Sequence, residues 1–147
     1  MRRARIYLTT MHTYSVALRI TGIDLDLTEV SVTLGKTPTQ TRLIGKSRSA
    51  KSVWSESMWE YEVRPANGNI VWDSLEDGLQ TLLSTFISNK KALQEYQRRF
   101  KVFLWCGHFS SSFDGGPTLS PLVLKALGDL GVELILATYF SEEPLTE

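Results

Sequence analysis

The chain contains one cysteine, Cys106, and two histidines, His12 and His108. A single thiol excludes an intrachain disulfide, and so few thiol and imidazole groups exclude a cysteine-rich zinc module. An excess of either charge is also missing. The 16 Lys and Arg residues balance 16 Asp and Glu, which excludes a polyanion binder driven by bulk charge. No stretch reaches the roughly 18 consecutive apolar residues that a membrane span needs. Neither the Walker pattern nor the dinucleotide glycine fingerprint is present.

What is present is an ordinary globular composition, 147 residues with 42% hydrophobic and 10% aromatic side chains. A chain of this size buries roughly 68–70% of its unfolded surface, enough for one core and too little for two full domains. Residues 11–140 are read as that domain and 141–147 as an acidic tail. Met1 to Thr10 begin with basic residues like a signal peptide but lack the apolar segment that would follow. The expected compartment is therefore the cytoplasm. The first ten residues are either a short extra strand at Arg5–Thr10 or a mis-called start ahead of Met11.

Tyr14 to Ile20 alternates apolar with small or polar residues, the period of a strand with one buried face. Asp26 and Glu29 form a capping box for a short helix that ends at Gly35. Lys36 to Lys51 reads as a long loop with room for a short edge strand. Val53 to Val63 alternates again, with Val53, Trp59, Tyr61 and Val63 facing inward and Trp54, Glu56, Glu60 and Glu62 on a wet side. Asn67-Gly68 suits a tight hairpin, with Ile70-Val71-Trp72 as a brief partner strand. Asp73 and Glu76 predict a capping box for a helix whose face carries Leu75, Leu79, Leu82, Leu83, Phe86 and Ile87. Residues 90–100 continue as a second helix or as its bent end. Lys101 to Phe109, apolar on both faces, reads as an interior strand. Ser110 to Pro117 is a loop, Ser120-Pro121 starts a helix that Gly131 ends, and Val132 to Phe140 is a closing strand.

Two segments look alike, Val16 to Gly35 and Val102 to Gly131, each running strand, loop, capped helix, Leu-Gly. The expectation is an α+β two-layer sandwich, ferredoxin-like with a weak internal βαβ duplication, its mainly antiparallel sheet carrying helices on one face. On the strand of residues 101–109, Phe103, Trp105 and Phe109 oppose Val102, Leu104 and Cys106. Helices on one side cover only one of these faces, so a loop, a bent sheet or a second subunit must cover the other.

Cys106 and His108 lie two apart on one strand face, where a thiolate and an imidazole could make a nucleophile oriented by Asp114. Against that stands the preference of cysteine for buried, inert positions. With His12, these residues carry no metal-ligand spacing, and nothing in the sequence implies a cofactor. A second constellation is basic and aromatic. Arg42, Lys46 and their neighbours precede Trp54 and Trp59, and with Trp105 and His108 they make a candidate ligand-binding set for an anion or for single-stranded nucleic acid. Solvated charge is the simpler reading of such runs, and nucleic acid is disfavoured as a partner.

The block Leu104-Trp105-Cys106-Gly107-His108-Phe109, followed by Gly115-Gly116, Thr118-Leu119-Ser120-Pro121 and Leu127 through Leu134, resembles the bacterial domain-of-unknown-function family 4279. Leu18 to Gly22, Gly35, Pro38-Thr39, Gly45 and Trp54 are similar to its first half, so the likeness runs from Tyr14 to Tyr139. It implies a start near Met11, and another aromatic often stands in that family where this chain has His108. It brings no activity. The expected function is a non-enzymatic cytoplasmic interaction module, an immunity or accessory protein, binding a partner protein or a second copy. The alternatives are an anion or single-stranded nucleic-acid binder through residues 36–54 and a cysteine-dependent enzyme using Cys106 and His108.

Overall fold

The computed structural model describes residues 12–141. Residues 1–11, with both readings of the start, and the acidic tail beyond Ser141 lie outside the described residues.

Seven strands and four α-helices follow one another as β1 (His12–Gly22), α1 (Leu27–Leu34), β2 (Gln40–Arg42), β3 (Ser47–Ser49), β4 (Ser52–Val53), β5 (Ser57–Val63), α2 (Leu75–Phe86), α3 (Lys90–Gln97), β6 (Lys101–Ser110), α4 (Pro121–Leu130) and β7 (Glu133–Phe140). The main sheet has the order β2-β5-β1-β6-β7, and only β6 and β7 pair in parallel. Strands β3 and β4 form a separate two-stranded ribbon. The protein is thus the expected α+β sandwich with a mainly antiparallel sheet.

Strand alternation decides which residues meet the helices. Val16, Leu18 and Ile20 of β1 share a face with Trp59, Tyr61 and Val63 of β5 and with Val102, Leu104 and Cys106 of β6. Onto this face pack Val30 and Leu34 of α1, Leu75, Leu79, Leu82 and Phe86 of α2, Leu93 and Tyr96 of α3, and Val123 and Leu130 of α4. Burial of each such side chain contributes about 1.5–3 kcal/mol. The two similar segments differ in their sequel: β6–α4 leads into parallel β7, whereas β1–α1 leads, through the β2–β4 excursion, to antiparallel β5.

The helix ends follow the sequence with one shift. Asp26 accepts from the Glu29 N–H and Ser120 from the Val123 N–H, while Gly35 and Gly131 take the left-handed turn past α1 and α4. For α2, however, the cap is Ser74, which accepts from the Asp77 N–H, and not Asp73. Glu76, assigned from sequence to a capping box, instead accepts from the Ser120 N–H at the start of α4. It ties two helices that are distant in sequence.

Three further expectations change. The Val53–Val63 stretch is broken, with Val53 ending β4 and β5 starting at Ser57. Asn67-Gly68 does turn, with Gly68 at φ 88°, but the Trp72 backbone bridges to Tyr14 of β1, and only its indole N–H reaches β5, at the Val63 carbonyl. Glu60 is not on a wet side: it is buried and held by Arg19, because the central position of β5 leaves its carboxylate little water.

Candidate functional site

At the end of the sheet where β1, β6 and β7 lie side by side, His12, Tyr14, Cys106, His108 and Thr138 share one face by register. The His108 ring stacks on both Tyr14 and His12. Its Nε2 is 2.9 Å from His12 Nδ1 and its Nδ1 is 3.3 Å from Thr138 Oγ1. His12 Nε2 donates to the Asp114 backbone carbonyl at 2.6 Å. Asp114 therefore meets His12 through its main chain, and its carboxylate is not what orients an imidazole here. Cys106 is 0% exposed, and burial pushes its thiol up to about 12, so it carries no thiolate near neutral pH. Burial first, and the neighbouring His12 second, hold the His108 imidazole below the ordinary histidine value. Among the described residues, no group of three or more His, Cys, Asp or Glu is placed to hold a metal ion.

Among the described residues, no helix packs on the opposite face of the sheet. Its two halves differ in chemistry. On the β5 and β2 side stand Gln40, Arg42, Glu60 and Glu62, and on the β6 and β7 side stand Phe103, Trp105, Phe109, Ile135, Ala137 and Tyr139. Arg19 of β1 separates them. Its Nε donates to Glu60 Oε1 at 2.6 Å while its guanidinium lies 4.5 Å over Trp105. Lys101 lies over Phe103 in the same way. Cationic side chains of the protein itself thus shade Trp105 and Phe103. Toward β7 the shading ends. The Phe109 ring folds back over Gly107, where a Cβ would stand 3.1 Å from it, and stacks on Tyr139, which is 50% exposed.

The predicted ligand set is divided by this topology. Arg42 and Trp54 do meet, the guanidinium lying 4.2 Å over the indole, and Arg48 joins them at 5.1 Å. Trp105 lies on the same open face two strands from β5. Lys46 is exposed in the turn before β3, where its carbonyl accepts from the Trp54 N–H. Trp59 and His108 face the other way: Trp59 is fully buried under α1 and donates its indole N–H to Ser31 Oγ. The sequence pattern counts Arg48 in the basic run with Arg42 and Lys46 but passes over Arg19 and Tyr139. Arg19 carried a signal, since an arginine in an alternating strand falls on the face opposite the leucines.

Exposed apolar groups wrap around β7, an edge strand of the sheet. On its helix-side face Leu136 and Phe140 are 40% and 46% exposed, and Phe113 of the loop between β6 and α4, 88% exposed, stacks on Phe140. Tyr139 marks the other face. Among the described residues no strand pairs with the outer edge of β7, whose eight residues hold one charge, Glu133, and no proline.

Residues 12–141 match the family described as Domain of unknown function (DUF4279), and the chain belongs to that family. No curated protein and no solved structure matches it. The family match ends where the described fold ends, at Ser141, so fold and family coincide.

Proposed function

We propose that the protein is a non-enzymatic interaction module that joins a second copy of itself through β7. The observation that carries this is the edge of β7, unpaired among the described residues and flanked on both sheet faces by exposed apolar side chains, Tyr139 on one and Leu136, Phe140 and Phe113 on the other. Long apolar edge strands without charge or proline are templates for strand addition.

A second copy fits because β7 is self-complementary in one antiparallel register. With Ala137 on the two-fold axis, Leu134 falls opposite the partner's Phe140, Ile135 opposite the partner's Tyr139 and Leu136 opposite the partner's Thr138. Apolar pairs then line both faces, and the two Glu133 carboxylates lie at opposite ends of the ladder, so no like charges meet. The main sheet becomes continuous across the pair. The sealed Cys106, with no thiolate near neutral pH, supports an interaction role over a cysteine-dependent reaction.

Light scattering on a sizing column tests the reading. The protein as written should elute at twice its chain mass at micromolar concentration. Replacement of Leu136 and Tyr139 by lysine should give a folded monomer. A wild-type chain that stays monomeric at several hundred micromolar, or a double variant that still dimerises, overturns it.

A further inference from the structure

The β2–β4 excursion carries a separate feature at the far end of the open face from β7. Arg42 ends β2 and points, by register with Met58, onto the same face as Arg19 and Glu60. Arg48 lies on β3, and both guanidinium groups lie over the indole of Trp54. The loop is shaped to bring them together: the Trp54 N–H donates to the Lys46 carbonyl, the Gly45 N–H to the Trp54 carbonyl and the Ile44 N–H to Ser57 Oγ.

The charges there do not balance. Glu60, the carboxylate nearest in register, is taken by Arg19 at 2.6 Å. Among the described residues neither the Arg42 nor the Arg48 guanidinium has a hydrogen-bond or ion-pair partner, and the Arg42 Nε is fully buried with nothing to donate to. A buried donor without an acceptor is unfavourable, more so when charged. Desolvation, then repulsion from Arg19, pulls the Arg42 guanidinium below its ordinary range, against the partial attraction of a Glu60 carboxylate that Arg19 already holds.

We propose that Arg42 and Arg48, braced on Trp54, form a binding site for a dianionic phosphate group. Two unpaired guanidinium groups match the charge of roughly −1.5 to −2 that a phosphate monoester carries near pH 7, and the guanidinium fork fits phosphate oxygens. Guanidinium groups already occupy the Trp54 ring face, so the site reads the phosphate and not a stacked base. This assignment stands on different residues from the β7 pairing and does not depend on it.

The test follows the side-chain signals of Arg42 Nε–H and of the Trp54 and Trp59 indole N–H in ¹⁵N-labelled protein, titrated with inorganic phosphate and, separately, with acetate and chloride at matched ionic strength. Phosphate should move Arg42 and Trp54 saturably while buried Trp59 stays still, and acetate should act at least tenfold more weakly. Arg42→Gln and Arg48→Gln should each lose the response, and Arg48→Gln, at an exposed ribbon position, should keep the wild-type Tm. No saturable movement with phosphate, an equal response to acetate or chloride, or an unchanged response in folded Arg48→Gln overturns the proposal.

Discussion

His12 and His108 share one hydrogen bond, 2.9 Å between Nδ1 and Nε2, and its direction is fixed by groups at either end. The Asp114 carbonyl only accepts, so His12 Nε2 carries a proton. With both rings neutral, His12 Nδ1 then accepts from His108 Nε2–H, and His108 Nδ1 accepts from the Thr138 hydroxyl. One added proton is tolerated on either ring. A second is not, because the two facing nitrogens would both be donors.

The sign of the resulting pH dependence follows from His108, whose folded value lies below the ordinary 6.5. Between its folded and unfolded values the unfolded chain binds more protons, so stability falls as the pH falls. The contribution of His108 is complete above about 6.5 and is lost as the pH drops from there toward the folded value. Urea unfolding from pH 8 to 5 should show this decline, and His108→Gln should flatten it. A wild-type profile flat through this range counts against the burial of a neutral His108.

Cys106 should be chemically silent. In the folded protein a thiol reagent at pH 8 should react only on the unfolding timescale, with full reactivity restored in denaturant. Cys106→Ser should destabilise by about 1–3 kcal/mol, since its hydroxyl would be buried in an apolar cluster. Fast labelling of the native state contradicts the structure.

Ser74 and Asp73 make opposite predictions for the start of α2. Ser74→Ala should lower stability by about 1 kcal/mol through loss of the Asp77 N–H bond, and Asp73→Ala should change it by less than about 0.5 kcal/mol. Thermal denaturation of the two variants distinguishes the cap that forms from the one that sequence spacing suggested.

Arg19 and Glu60 should be coupled. Their side chains are 16% and 10% exposed at a 2.6 Å contact, so each single alanine variant leaves a poorly solvated charge behind. A double-mutant cycle in urea should give a coupling of about 1–3 kcal/mol. Trp105→Ala should reduce that coupling, because the indole holds the guanidinium in place from the other side. A coupling near zero means that the pair is solvated and the Trp105 stack is incidental.

Features that depend on neighbouring residues were legible in the sequence. The alternation of β1 and β6, the Asp26 and Ser120 caps and the stops at Gly35 and Gly131 all rest on contacts within a few residues, and all form as expected. The misplaced features involve partners far along the chain. Glu76 had a local partner within reach and took the Ser120 N–H instead. Trp72 had β5 close in sequence and bridged to Tyr14. The Arg42–Trp54 contact drew together two residues of one basic loop, but Arg48 and the paired Glu60 decide its unbalanced charge.

By itself, then, the order of residues determined β1, β6, β7, the helices, the ends of α1 and α4 and the two-sided character of β6, because backbone geometry and side-chain period act over one or two turns. Tertiary structure alone decided that β7 follows β6 in parallel and lies at an edge, that His12 meets His108 across the sheet, and that Arg19 takes the carboxylate Arg42 would otherwise face. Each of these depends on strand order and register, which bring together residues separated by 41 or 96 positions. Local pattern contains no information about such meetings.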